Sequence, residues 1–86
     1  MMLKIERLRM RVRLSGELRS QQLGQVEAEL EECGAAAVLD LEEVKLADVE
    51  GVRFLNGCEA KGMTIVHCSP YIRAWMLQER TRTRKP

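Results

Sequence analysis

Three cysteines and the single histidine are the side chains of this sequence best suited to metal binding or nucleophilic catalysis. They are Cys33, Cys58, His67 and Cys68. His67 and Cys68 are neighbours on a predicted strand, so their side chains point to opposite faces, and the separations along the chain do not match those of zinc-ligand pairs. A Cys–His nucleophile is similarly disfavoured, because isolated residues of these types usually serve packing. We therefore predict no metal site and no cofactor.

The sequence also lacks the glycine-rich loops that cradle phosphate groups, of either the Gly-x-x-x-x-Gly-Lys or the Gly-x-Gly-x-x-Gly kind. Its many carboxylates fall mostly on one predicted helix surface, where they solvate the protein. Because no group of residues indicates a catalytic site, we expect that the protein is not an enzyme.

The length of 86 residues and the hydrophobic fraction of 45% fit one small folded domain. We place that domain at residues 1–79 and a basic C-terminal tail at residues 80–86. The formal net charge of +1 conceals three segments of alternating sign. Residues 1–20 carry six basic and two acidic side chains, residues 21–60 two basic and ten acidic, and residues 61–86 six basic and one acidic. Two interpretations stay open: charged faces that steer partners, and ordinary solvated surface.

Location and partner class follow from composition. The chain has no apolar run of about 18–20 residues, which a membrane span needs, and charges begin too early for a signal peptide. An odd number of cysteines without a Cys-x-x-Cys pair fits a reducing compartment. We therefore expect a cytoplasmic protein without membrane insertion. Nucleic acid is a disfavoured partner because aromatic residues make up only 3% of the chain and the charge is near neutral, despite the arginines Arg7, Arg9, Arg11 and Arg13.

Strict alternation of apolar and basic residues over positions 7–14 predicts a half-buried strand. Its inner side would hold Leu8, Met10, Val12 and Leu14. The segment Ser15-Gly16-Glu17 breaks the alternation and is expected to end this strand. Residues 3–6 could add a further pairing segment.

Capping residues and glycines predict the remaining boundaries. Ser20 and Asp48 are predicted helix N-caps, Gly34 and Gly62 end the helices that follow, and Ser69-Pro70 starts a third helix. Between them we predict a buried strand over residues 35–41, a polar connection over 42–47 with Val44 and Leu46 pointing inward, a strand over 63–68 and a last helix over 70–79. This order predicts an α/β fold: a small mixed, largely parallel sheet of about four strands with alternating helices.

Four segments in this order and spacing resemble the STAS family, the sulfate transporter and anti-sigma-factor antagonist domains. They are Val-Arg-Leu-Ser-Gly-Glu-Leu at 12–18, Val-Leu-Asp-Leu at 38–41, the capped helix start at 44–55, and the last strand with its turn at 62–70. The resemblance covers about residues 10–77 and implies a STAS-like fold. In the antagonist branch the helix start reads Asp-Ser-Ser-Gly, and a kinase-like anti-sigma factor phosphorylates the second serine.

The present sequence departs from that motif, since it reads Asp48-Val49-Glu50-Gly51. Glu50 occupies the phosphoacceptor position, so phosphorylation cannot switch the protein there. Two interpretations of Glu50 stay open. A carboxylate in a first helical turn is favourable toward the helix dipole, by about 0.3–1 kcal/mol. It could also supply permanently part of the charge of a phosphoserine, about −1 against about −1.5 to −2.

The resemblance implies a noncatalytic protein–protein interaction domain in bacterial transcription control, with an anti-sigma factor or kinase-like protein as partner. The partner-binding residues would be Asp48, Val49, Glu50, Gly51 and Arg53, with Asp48 either a helix cap or a partner contact. Two alternatives stay open: a constitutive accessory subunit of a membrane transporter or signalling complex, and a module that senses nucleotides or other small molecules. Association of two copies is also left open.

Overall fold

The computed structural model describes residues 3–34 and 36–83 and contains four strands, three α-helices and one 3₁₀ turn. In chain order they are β1 (Lys4–Leu8), β2 (Arg11–Leu18), the 3₁₀ turn Ser20–Gln22, α1 (Leu23–Cys33), β3 (Val38–Ala47), α2 (Val49–Ala60), β4 (Thr64–Val66) and α3 (Pro70–Thr83). The sheet order is β1-β2-β3-β4, with β1 antiparallel to β2 and the other neighbours parallel. The predicted mixed, largely parallel α/β fold is confirmed.

The predicted single strand over residues 7–14 is wrong, because a tight hairpin divides it. Arg9 has a φ of 58° and lies between β1 and β2, which pair from Leu8↔Arg11 to Lys4↔Ser15. Alternation continues through this turn in the sequence, and the turn lacks the Asn or Gly that usually marks a two-residue hairpin. The pairing segment suggested at residues 3–6 corresponds to most of β1.

Strand β2 also runs past the predicted stop at residues 15–17 and ends at Leu18. Gly16 has a φ of 108°, and the pairing with β3 shifts register between Arg13 and Ser15 and again between Gly16 and Glu17. Glycine adopts this backbone conformation at little steric cost, so the strand bends without leaving the sheet. Residues 15–17, which were predicted to end the strand, therefore lie within a longer strand at a place where its pairing is irregular.

Strand β3 replaces both the predicted strand at 35–41 and the predicted connection at 42–47. Val44 points inward as predicted, with 4% of its surface exposed, but Leu46 is 47% exposed. The second register shift causes the difference, because Gly16 pairs with Val44 while the next residue, Glu17, pairs with Leu46. Residue 35 of the predicted strand lies outside the described residues.

Helix boundaries follow the predictions more closely. Gly34, with a φ of 83°, ends α1, and Ser69 caps α3 by accepting a hydrogen bond from the Ile72 backbone N–H at 3.2 Å. Ser20 does not cap α1, since it begins the 3₁₀ turn and no side-chain cap bond forms there. Helix α3 continues to Thr83 rather than ending near residue 79, so the expected domain boundary falls inside it. Residues 84–86 of the expected tail lie outside the described part of the chain.

The hydrophobic core lies on one face of the sheet, against the helices. Its fully buried members from the strands are Val12, Leu14, Leu18, Leu39 and Leu41, and those from the helices include Val26, Val52, Leu55, Ile72 and Met76. Burying each such aliphatic side chain contributes about 1.5–3 kcal/mol. The alternate residues of the same strands, such as Arg11, Arg13 and Asp40, lie on the other face of the sheet, which we call the charged sheet face.

Candidate functional site

The first turn of α2 is fastened to the end of β2 through Asp48. One carboxylate oxygen of Asp48 accepts a hydrogen bond from the Gly51 backbone N–H at 2.8 Å, which confirms the predicted N-cap. Its other oxygen accepts a hydrogen bond from the Ser20 backbone N–H at 3.0 Å. The Asp48 backbone N–H donates to the Leu18 carbonyl oxygen at 3.1 Å. A single residue thus ties the ends of β2 and β3 to the start of α2.

Gly51 lets this turn approach β2 closely. A β-carbon built on Gly51 would lie 2.6 Å from the Leu18 carbonyl oxygen and 3.2 Å from Leu18 Cγ. Since real β-carbons do not approach a backbone oxygen so closely, only glycine fits here. Gly51 is buried, so it shapes the candidate site from beneath and presents no side chain.

Above this anchored turn, Glu50 and Arg53 are exposed, as predicted. Their side chains are 55% and 51% exposed, and Arg53 Nη1 lies 3.5 Å from Glu50 Oε2. Arg53 Nε also donates to Glu79 Oε1 at 3.1 Å, and the Glu79 side chain is only 5% exposed. Val49 is half-buried beside them. The contact with α3 therefore orients Arg53, whereas Glu50 is exposed to solvent in the first turn of α2.

Leu46, at the same end of the sheet, is exposed although its position in the sequence predicts an inward-pointing side chain. A depression of about 110 Å³ beside it is lined by Arg19, Leu46, Ala47 and Asp48. No local signal could have found Leu46, because its orientation results from a shift in pairing with β2. We refer to Leu46, Asp48, Val49, Glu50 and Arg53 together as the α2 surface.

The cysteines and the histidine considered as metal ligands are spread over different parts of the fold. Cys58 is buried on α2, and burial raises the pKa of its thiol to about 11. The Cys33 thiol donates to the Arg9 carbonyl oxygen at 3.7 Å. His67 lies instead beside two carboxylates of the charged sheet face, Asp40 and Glu42. Within residues 3–34 and 36–83, this trio is the group of ligand side chains close enough together to hold a metal ion.

A cavity of about 500 Å³ lies between α2 and α3 and is open to solvent. It is lined by Arg53, Asn56, Glu59, Ala60, Glu79 and Arg80. The charged groups pair within the cavity, since Arg53 contacts Glu79 and Arg80 Nη2 lies 2.7 Å from Glu59 Oε1. Arg73 adds a second ion pair to Glu59 at 2.9 Å. These contacts join α3 to α2, and Arg53 takes part both in them and in the α2 surface.

The arrangement of strands and helices is that of an anti-sigma-factor antagonist fold. The chain superposes on the structure described as the anti-sigma factor antagonist SpoIIAA in its unphosphorylated form, with a TM-score of 0.61 and 18% sequence identity. The match covers 96% of this chain and 100% of that one. At this identity the likeness shows a shared fold, and it confirms the STAS-like architecture. The sequence matches no protein-family model and no curated protein.

Among the described helices, none is long and apolar enough to cross a lipid bilayer.

Proposed function

We propose that this protein is a noncatalytic interaction domain of the anti-sigma-factor-antagonist kind, which docks a folded protein partner through the α2 surface. The likeness to an antagonist fold over nearly the whole chain supports the class. The observation that carries the proposal is the anchored first turn of α2, where Asp48 and Gly51 fix the backbone, Glu50 is exposed and Val49 is half-buried. Leu46, at the end of β3, adds an exposed apolar side chain beside Asp48.

The composition of the α2 surface suits a protein partner. Leu46 offers an exposed aliphatic side chain, and the charged residues Arg19 and Asp48 line the depression beside it. Protein interfaces commonly combine an apolar centre that becomes desolvated with a polar rim that selects the partner. Because the backbone of the turn is already fixed, binding does not need to order it, which lowers the entropic cost of association.

Glu50 gives this surface a charge that no kinase has to add. It stands where the antagonist motif places its phosphoacceptor serine, and its side chain is 55% exposed beside Arg53. A carboxylate carries about −1 against about −1.5 to −2 for a phosphoserine, so we expect a partial and permanent substitute. On this proposal the protein binds its partner in one fixed state, and its abundance rather than phosphorylation regulates it.

The partner is identified by co-purification with the full-length protein and then used in binding measurements. A kinase-like anti-sigma factor supports the proposal, whereas components of a membrane transporter would support the accessory-subunit alternative. With the partner in hand, Leu46→Asp should reduce the affinity at least about tenfold, because burying an unpaired carboxylate in an interface is costly. Glu31→Gln is the matched control, since Glu31 is exposed on α1.

Glu50 is tested by three variants measured against the same partner. If its charge contributes, Glu50→Ser and Glu50→Ala both weaken binding, and Glu50→Asp largely retains it. Equal affinity of the parent chain and all three variants would show that Glu50 serves only the helix dipole. A thermal shift that stays flat across a panel of nucleotides would argue against the sensing alternative.

A further inference from the structure

Three potential metal ligands lie together on the charged sheet face. Asp40 and Glu42 are two residues apart on β3, and His67 directly follows β4, the neighbouring parallel strand. Their ligand atoms all lie within 4.8 Å of one another, and His67 Nδ1 is 3.1 Å from Asp40 Oδ1. Spacing along the chain does not indicate this group, because His67 is brought to Asp40 and Glu42 only by the pairing of β3 with β4.

Two arginines from β2 hold the carboxylates by one oxygen each. Arg11 Nη1 lies 3.2 Å from Asp40 Oδ2, and Arg13 Nη2 lies 3.2 Å from Glu42 Oε1. Each ion pair uses one oxygen of its carboxylate, so a cation bound through the other oxygen would leave both ion pairs in place. Asp40 Oδ1 also accepts the Glu42 backbone N–H at 3.0 Å, so its position is fixed in advance.

We propose that Asp40, Glu42 and His67 form a binding site for a divalent transition-metal ion of the Zn²⁺ class. One imidazole nitrogen and two carboxylate oxygens are ligands that Zn²⁺ accepts, at about 2.0–2.2 Å, and a water molecule completes a four-coordinate ion. The imidazole distinguishes the site from those of Mg²⁺ and Ca²⁺, which prefer oxygen ligands. The ion replaces the hydrogen bond between His67 and Asp40, and any proton on Nδ1 passes to solvent.

The burial of the three side chains suits such a site. Asp40 is 3% exposed, whereas His67 and Glu42 are each 54% exposed, so one ligand is rigid and two are open to an arriving ion. The positive charges of Arg11 and Arg13 offset those of the two carboxylates, and this makes the site weaker than one without arginines. The arginines also orient the carboxylates, as the hydrogen-bond partners of metal-coordinating side chains do in known metal sites. A bound ion would join the three-residue strand β4 to β3.

The test is a calorimetric titration of the full chain with zinc chloride, compared with the same titration of His67→Asn. Asparagine tolerates the φ of 58° that His67 adopts, so this variant is expected to fold. We expect one zinc ion per chain, and a loss of affinity of about tenfold or more in His67→Asn and in Glu42→Gln. Glu43→Gln is the matched control: it removes the same charge from the next residue of β3 and should bind zinc as the parent does.

A second readout separates this site from zinc bound by thiols. With Co²⁺ in place of Zn²⁺, ligation by nitrogen and oxygen lacks the sulfur charge-transfer absorption that cysteine ligands produce, and Cys68→Ser should bind as the parent chain does. Because the chain contains one histidine, its ring nitrogens give unambiguous NMR signals, and zinc should shift that of Nδ1. Unchanged affinity in His67→Asn, a sulfur band with Co²⁺, or the absence of any zinc binding would each overturn the proposal.

Discussion

Gly51 and Leu18 are in such close contact that the space between the α2 backbone and the Leu18 carbonyl oxygen has no room for a methyl group. A β-carbon on Gly51 would lie 2.6 Å from that oxygen. The contact brings the start of α2 against the end of β2, where Asp48 completes the link. The position of the α2 surface therefore depends on the absence of a side chain at residue 51.

We predict that Gly51→Ala destabilises the protein by about 1–3 kcal/mol, because the backbone must shift to relieve the clash. The measurement is urea unfolding followed by circular dichroism. Gly57→Ala is the control within the same helix, since a β-carbon on Gly57 meets nothing within 4 Å. That variant should gain about 0.4–1 kcal/mol, as alanine reduces the entropy of the unfolded chain. Equal effects of the two substitutions would contradict the close approach.

The two hydrogen bonds of the Asp48 carboxylate predict a graded response to substitution. Asp48→Ala removes the acceptors for the Gly51 and Ser20 N–H groups and should cost about 1–2 kcal/mol of the free energy of unfolding. Asp48→Asn keeps one side-chain oxygen as the cap and should lose less than half as much. The same denaturant titration measures both variants. If asparagine is as destabilising as alanine, the negative charge rather than the capping bond stabilises the helix.

The ion pairs of Glu59 lead us to predict that the protein loses stability in acid. Partial burial of Glu59 raises the pKa, but the hydrogen bonds from Arg73 and Arg80 outweigh burial and hold the pKa of Glu59 below its ordinary value of 4.5. A carboxyl group whose pKa is lowered on folding stabilises the protein above its unfolded pKa, and this contribution disappears as the pH falls through the folded pKa. The free energy of unfolding should therefore fall below about pH 4.5.

Two variants test whether Glu59 causes this loss of stability in acid. Glu59→Gln should flatten the fall in stability between neutral pH and pH 3, whereas Glu31→Gln should leave it almost unchanged. Urea titrations at several pH values give the comparison. A fall of the same size in Glu59→Gln and in the parent chain would mean that other carboxylates are responsible.

Much of the architecture could be predicted because its signals are local. The cap at Asp48, the glycine after α1 and the Ser69-Pro70 start of α3 each act within a few residues, so the sequence carries them directly. The alternation of strands and helices follows from these boundaries and from hydrophobic spacing. The exposure of Glu50 and Arg53 was predictable for the same reason, since they occupy the first turns of a capped helix.

Features that depend on strand pairing could not be predicted. The hairpin at Arg9 leaves the apolar alternation unbroken, and the outward orientation of Leu46 arises from a register shift opposite Gly16 and Glu17. Alternation within one strand contains no information about such shifts, because they result from how two strands fit together. The α2 surface was thus predicted without its exposed apolar residue.

The sequence by itself determined the alternation of strands and helices, the capped start of α2 and the position of Glu50 in the first turn of that helix. The tertiary structure alone decided which side chains meet across the sheet. Asp40 and His67 are separated by 27 positions along the chain and become neighbours because β3 and β4 pair in parallel at Asp40↔Val66. The physical reason is that helix caps are settled by contacts between near neighbours in sequence, whereas a site built from several strands exists only when the chain has folded.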